Sequence, residues 1–279
     1  MTTISASVIA DSISVPEIRL TTLQLRYPRF IHAEFMTHRV FSRNASSSRA
    51  VPVEKLIADI ERDPAMPLHW GKNQPGMQAH KQLTGYELGV AKGHYLAALQ
   101  DALVHATHLH EIGAHKQLVN RILEPFTHIN VVVTATEWDN FFALRDHPDA
   151  EPHIQMLARE IKRAMSESTP KKLRMYEWHL PYVSAEEQEE ADSGTLCKIS
   201  AARCARVSYL TQEGKKPARD TDLALYERLA GSEPLHASPL EHQASPDFRS
   251  WTGWHYNNQH GNFIGWRQFR KIVEEEGLV

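Results

Sequence analysis

The stretch Thr37-His38-Arg39-Val40-Phe41-Ser42-Arg43-Asn44-Ala45-Ser46-Ser47-Ser48-Arg49 packs three arginines, a histidine and a run of three serines into thirteen residues. Guanidinium forks and small hydroxyl donors suit phosphate oxygens, so the stretch reads as an anion cradle. Working outward, Pro28 to Met36 shows helical apolar spacing at Phe30, Ile31, Phe35 and Met36, which places the His38-Arg39 pair at a helix end held by a packed core. Before it, Glu17 to Tyr27 alternates loosely through Ile18, Leu20 and Thr22 and reads as a strand feeding that helix.

Anion binding has to be local, because 31 Lys+Arg against 34 Asp+Glu leave a formal charge of -3. No global basic field argues for a nucleic acid or a membrane surface as partner. The 279 residues suffice for one substantial domain or two small ones, and 42% apolar with 23% charged residues is ordinary for a globular chain. Two cysteines, Cys197 and Cys204, exclude a multi-bridge disulfide framework and a four-cysteine zinc site. Met1 to Val15 lacks a basic segment followed by an apolar core, and no apolar run approaches about 18 residues. The expectation is a cytoplasmic protein in a reducing compartment.

Val51 to Gln78, punctuated by Pro52, Pro64, Pro67, Gly71, Pro75 and Gly76, reads as a long ordered loop or lid with one short helix. A long helix is expected from about Gly85 to Glu111, with Leu96, Leu99, Leu103 and Ala106 on one side and Gly113 beyond its end. Its spacing His110-Glu111-x-x-x-His115 is one residue too long for two imidazoles to share a face as metal ligands. A partly exposed amphipathic helix is the better reading, and the next helix begins near Ala114.

The β-branched run Ile129 to Ala135 predicts a buried strand. Thr136 with Asp139 resembles a capping box, so Glu137 to Arg145 is expected to be helical with Trp138, Phe141 and Leu144 inward and Asn140 and Arg145 emerging. A further amphipathic helix is expected from Glu151 to Met165. Ser184 to Thr195, acidic throughout, reads as a solvated linker loop. Asp220 to Ala230 reads as a capped helix ended by Gly231, and a tail rich in Trp and Gly closes the chain.

His38-Arg39-x7-Ser47, followed by Arg49, resembles the Arg-His-Arg-x7-Ser signature of the flavin-dependent thymidylate synthases, with Thr37 in place of the first arginine. Gly113 to Pro125 resembles the family helix whose arginine grips the nucleotide phosphate, here Arg121. Asn140 to Glu151 resembles the segment Asn-x-x-x-Leu-Arg-x-Asp-x-x-Ala-Gln, whose asparagine contacts flavin and whose arginine, here Arg145, contacts uracil. Ala201 to Tyr209 and His236-Ala237-Ser238-Pro239-Leu240-Glu241-His242 resemble family segments that ordinarily precede the Arg-His-Arg motif; here they follow it. The chain therefore looks circularly permuted, with the join near residues 184–195. Ala45 stands where the family has glutamate, and Glu34 where glutamine is common.

The resemblance implies an α/β (α+β) fold, one domain over 1–279, with a central mixed or antiparallel sheet flanked by long helices. It implies FAD-dependent transfer of a one-carbon unit from methylene-tetrahydrofolate to C5 of dUMP with reduction by NADPH, giving dTMP, in a homotetramer whose sites are shared between subunits. A related hydroxymethylating enzyme on deoxyuridylate, or a noncatalytic nucleotide- or flavin-binding protein, would use the same residues. Arg145 is then catalytic, stabilising charge on the uracil oxygens. Glu34, Ser46, Ser47, Ser48, Arg49, Arg121 and Arg145 would hold substrate; Thr37, His38, Arg39, Val40, Asn140, His236 and Ser238 would hold the flavin. No metal is expected, and neither cysteine sits in an electropositive motif that would make it a nucleophile.

Overall fold

The computed structural model describes residues 2–207, 215 and 217–275. Strands β1 (Ser5–Ser14) and β2 (Arg19–Pro28) form an antiparallel hairpin, closed by Ser14 and Ile18 with Glu17 at positive φ. The chain leaves β2 through a 3-10 turn (Arg29–Ile31) and the short helix α1 (His32–Phe35), then returns as β3 (Ser42–Ala45). Ile31 and Phe35 are buried as the spacing predicted, whereas Phe30 and Met36 are about two-fifths exposed.

α2 (Val53–Arg62) is the short helix expected after the cradle, and α3 runs over Gly85–Glu111 as predicted. Leu99, Leu103 and Ala106 of α3 are buried against α2 and α4 (Lys116–Leu123), but Leu96 is 46% exposed. β4 (His128–Ala135) pairs antiparallel with both β2 and β3. α5 (Asp139–Arg145) and α6 (Pro152–Glu167) follow, then β5 (Lys171–Leu173), which pairs parallel with β1. The sheet order is β3-β4-β2-β1-β5, a mixed sheet in a mixed α/β fold.

Two expectations about α5 are corrected. Trp138 occupies its N-cap without a side-chain bond, and the Thr136 hydroxyl instead accepts from Ile264 N at 3.1 Å. Trp138 and Phe141 point into the core, but Leu144 is 54% exposed.

The acidic stretch is also not a loop. Its carboxylates form α7 (Ala185–Glu190), started by a capping box between Ser184 and Glu187, and α8 (Ser193–Arg206) follows directly behind the Asp192 cap. Arg203 of α8 draws Glu187 in with bonds of 2.7 Å and pairs with buried Asp222 at 2.9 Å. Asp222 belongs to α9 (Arg219–Ala230), which begins after Ala218 without a side-chain cap and ends at Gly231 as expected. The remaining elements are β6 (Ala244–Pro246), β7 (Arg249–Ser250), β8 (Gly253–Trp254), β9 (Trp266–Gln268) and α10 (Phe269–Glu275).

The period of two along β2 and β4 divides the core. Leu23, Leu25, Tyr27, Val131, Val133 and Ala135 face a cluster completed by Phe35, Phe141 and the apolar stripe of α6. Val132 on the opposite face packs on Tyr182, Cys204 and Val207, while Thr22 and Thr134 meet His179 and His242. The C-terminal part of the chain thus covers the second face of a sheet built from the N-terminal part.

Candidate active site

β3 lies at one edge of the sheet, so the cradle crosses from α1 to that edge with Thr37 to Phe41 as the bend. His38 is buried among Phe35, Phe41 and Phe141, its ring centroid 4.9 Å from Phe141 and 5.9 Å from Phe41. Arg145, at the C-terminal end of α5, reaches this bend. Its Nε donates to His38 Nε2 at 2.9 Å, its Nη2 to Thr37 Oγ1 at 3.2 Å, and its Nη1 to Glu34 Oε2 at 3.4 Å.

An Nε2 that accepts from a guanidinium carries no proton, so His38 is the neutral Nδ1–H tautomer. Burial, followed by the charges of Arg145 and Arg43, pushes its pKa down to about 4. Burial and then the neighbouring Glu151 carboxylate raise Glu34, and Arg145 offsets only part of that. Glu34, Thr37 and His38, predicted for substrate or cofactor, therefore meet at the guanidinium of Arg145, over 100 positions away.

The serine run divides into different roles. Ser46 pairs with Asn130, its amide donating to the Asn130 carbonyl at 2.8 Å and its hydroxyl accepting from Asn130 N at 3.2 Å. The Ser48 hydroxyl donates to Glu124 Oε1 at 2.6 Å, and Asn120 Nδ2 holds the Ser48 carbonyl at 2.7 Å. Ser47 and Arg49 lie exposed between these anchors, and Arg121 is exposed on α4. Among the described residues, neither arginine has an ion-pair partner, nor does exposed Arg39. The run is thus pinned at Ser46 and Ser48 so that Ser47 and Arg49 are presented outward, and Ser46 and Ser48 already spend their hydroxyls on the protein.

Asn44 is the residue that sequence reasoning passed over. Its Oδ1 accepts from Ser238 Oγ at 2.6 Å and its Nδ2 donates to the Cys204 carbonyl at 3.1 Å. Both displaced segments consequently lie beside the cradle, 194 and 160 positions away in sequence. Ser208 and Tyr209 of the first fall outside the described residues. His236 is exposed two residues from Ser238. The usable signal was the motif itself: Asn44 is an amide between Arg43 and the serine run, with two hydrogen-bonding functions, on the edge strand β3.

A cleft of about 470 Å³ opens beside the bend, lined by Val40, Trp138, Asn140 and Phe142 together with Arg19 and Thr136. Val40 and Asn140 are predicted flavin positions; Thr37, His38, Arg39, His236 and Ser238 do not line it. Its volume falls in the range of ordinary small-molecule sites, and beside the apolar Val40, Trp138, Phe142 and Met165 its lining carries Asn140 and the charged Arg19, Glu137 and Asp139. Cys197 and Cys204 are both buried free thiols whose pKa burial pushes upward, so neither is available as a thiolate.

The arrangement is a mixed sheet in an α/β fold whose edge strand carries the arginine- and serine-rich stretch. The chain belongs to the thymidylate synthase complementing protein family, whose pattern matches residues 6–171. Among solved structures it is similar to a UMP/dUMP methylase PolB from Streptomyces cacaoi bound with 5-Br dUMP, at 16% identity and a TM-score of 0.50, covering 60% of this chain and 91% of that one. The same methylase bound with 5-Br UMP gives 17% identity and a TM-score of 0.50, covering 60% and 90%. No curated protein sequence is significantly similar.

Proposed function

We propose that this protein transfers a one-carbon unit from methylene-tetrahydrofolate to C5 of dUMP with reduction, giving dTMP, with FAD as cofactor and NADPH as reductant. The observation that carries this reading is the convergence of Glu34, Thr37 and His38 on Arg145 beside a cradle that presents Ser47 and Arg49. Membership of the thymidylate synthase complementing family supports it.

C5 of uracil is a weak nucleophile. One route to its activation adds a thiolate to C6, and the two buried thiols do not supply one. Bound flavin would supply the carrier and reductant chemistry instead. Val40, Asn140 and the walls Trp138 and Phe142 would hold it, with Thr37, His38, Arg39, His236 and Ser238 around it. The protein's own part is placement and charge. Arg145 offers donors to the uracil oxygens where negative charge grows, and neutral His38 fixes the plane of the guanidinium through Nε. Ser47, Arg49 and Arg121 clamp the 5′-phosphate, with backbone support from the pinned Ser46 and Ser48. Exposed arginines without partners fit a site completed by neighbouring subunits, in keeping with a homotetramer.

The test is to incubate purified protein with dUMP, methylene-tetrahydrofolate and NADPH and to weigh the nucleotide product. A methyl-group gain supports the proposal, and a hydroxymethyl gain redirects it to the related hydroxylated product. The UMP/dUMP methylase neighbour makes UMP the necessary second substrate arm. Unchanged dUMP together with colourless protein overturns it.

A further inference from the structure

We infer that Asn262 is a positioning residue of the cleft, and that the loop Gly261–Gly265 fastens two of its wall segments together. This rests on the flavin reading above only for the identity of what the cleft holds. The Asn262 amide donates through Nδ2 to the Val40 carbonyl at 2.8 Å, and its Oδ1 accepts from Ser42 Oγ at 3.1 Å and Gln268 Nε2 at 2.9 Å. Two residues on, Ile264 N donates to Thr136 Oγ1 at 3.1 Å. Val40 and Thr136 both line the cleft, and they lie on separate segments of chain. One short loop therefore sets their separation.

The loop is built to be rigid. Gly261 and Gly265 bracket it at φ +61° and +68°, a region that side chains disfavour. A Cβ at Gly261 would fall 2.5 Å from Gln268 Oε1, and one at Gly265 would fall 2.7 Å from Trp254 and 2.8 Å from Ile18. Phe263 is buried with Leu20, Leu173 and Trp266, anchoring the loop to the sheet. His260 accepts from Gly265 N at 3.3 Å through Nδ1 and reaches Asp247 at 2.9 Å through Nε2. The loop itself lies beyond residue 171, outside the part of the chain that matches the family.

Asn262→Ala removes both functions of the amide, whereas Asn262→Asp keeps the acceptor and loses the donor to Val40. Loss of a preorganised contact of this kind should weaken FAD binding about fivefold, since a net hydrogen bond is worth on the order of 1 kcal/mol. The measurements are FAD titration with the visible spectrum of bound flavin, and backbone hydrogen exchange of full-length protein. Expected are weaker binding and an altered flavin spectrum in both variants, faster exchange confined to residues 38–42 and 136–140, and no change in Asn258→Ala, whose side chain hydrogen-bonds to Glu275.

Wild-type affinity and exchange in folded Asn262→Ala and Asn262→Asp would overturn the inference and leave the flavin proposal standing. Wild-type protein that binds no flavin would sink that proposal alone; exchange then decides, with selective loosening of the two segments supporting the positioning role and its absence overturning it. If neither Asn262 variant folds, Thr136→Val tests the second fastening by the same readouts.

Discussion

Arg145 Nε and His38 Nε2 lie 2.9 Å apart across 107 positions of sequence, joining the end of α5 to the bend that starts the cradle. The bond orients a cation and simultaneously holds an imidazole neutral. It makes Arg145 a preorganised donor group whose charge is not cancelled, since Glu34, its carboxylate neighbour, is half-exposed and 3.4 Å away.

Arg145→Ala should therefore lower turnover by about 10²–10³ while folding and flavin content are retained, because its contact strengthens as charge develops on the uracil ring. Arg145→Lys restores the charge but has no Nε to meet His38, and should recover little. Steady-state kinetics with flavin absorbance check both.

Arg121 is exposed on α4 and free of ion pairs among the described residues, and the proposed reading makes it a phosphate clamp. Arg121→Ala should raise the KM for dUMP with a smaller effect on kcat, and Arg121→Lys should rescue part of the loss, since a point charge does not reproduce a bidentate fork. Equal effects of Arg121→Ala and Arg145→Ala on kcat would contradict the division of labour.

Arg203 should prove structural. It is buried and satisfied by Asp222, Glu187 and the Tyr182 carbonyl, and Arg206 also pairs with Asp222. Removing the guanidinium strands carboxylates in the interior, so Arg203→Ala should cost roughly 3–5 kcal/mol in urea unfolding. Arg203→Ala with Asp222→Ala should cost less than the sum of the two single changes.

Much of the scaffold was legible because it is local. The β-branched run gave β4, and the periodic segment from Gly85 to Glu111 gave α3 with its ends. Periodicity also located Leu96 and Leu144 on apolar faces, but it does not say whether a partner covers them, and in this chain both stay exposed. The acidic stretch became helical because Arg203, sixteen residues later, recruits Glu187. Motif resemblance picked out Glu34, Thr37, His38 and Arg145, which the fold brings together, but not Asn44 or Asn262. Gln268 apart, their partners lie 160 to 222 positions away, and only a folded chain reveals such pairs.

The second face of the sheet carries a buried polar chain with a consequence for acid stability. Ser12 Oγ lies 2.9 Å from His179 Nδ1, His179 Nε2 2.7 Å from Thr22 Oγ1, Thr22 Oγ1 2.7 Å from Thr134 Oγ1, and Thr134 Oγ1 2.8 Å from His242 Nδ1. His242 Nε2 has no partner, and an unpaired lone pair is less costly there than an unpaired N–H, so His242 donates through Nδ1 to Thr134. Every other group in the chain is then satisfied with both imidazoles neutral. Burial accordingly drives His179 and His242 down to about 3, and burial likewise drives His128 to about 4. The unfolded chain binds these protons near pH 6.5. Below that, it holds more protons than the native state, so stability falls as pH drops from about 6.5 toward 3 and is fully present above 6.5. Each unit of difference is worth about 1.4 kcal/mol, so these three histidines, together with His38, should contribute strongly to acid unfolding. Thermal melts between pH 7.5 and 4.5 should show Tm falling steeply below pH 6.5. In His242→Asn, whose amide can still donate to Thr134 but does not take up a proton, the slope should be shallower even if Tm at pH 7.5 is lower. A parallel pH dependence in that variant would show that His242 is not one of the groups driving acid unfolding.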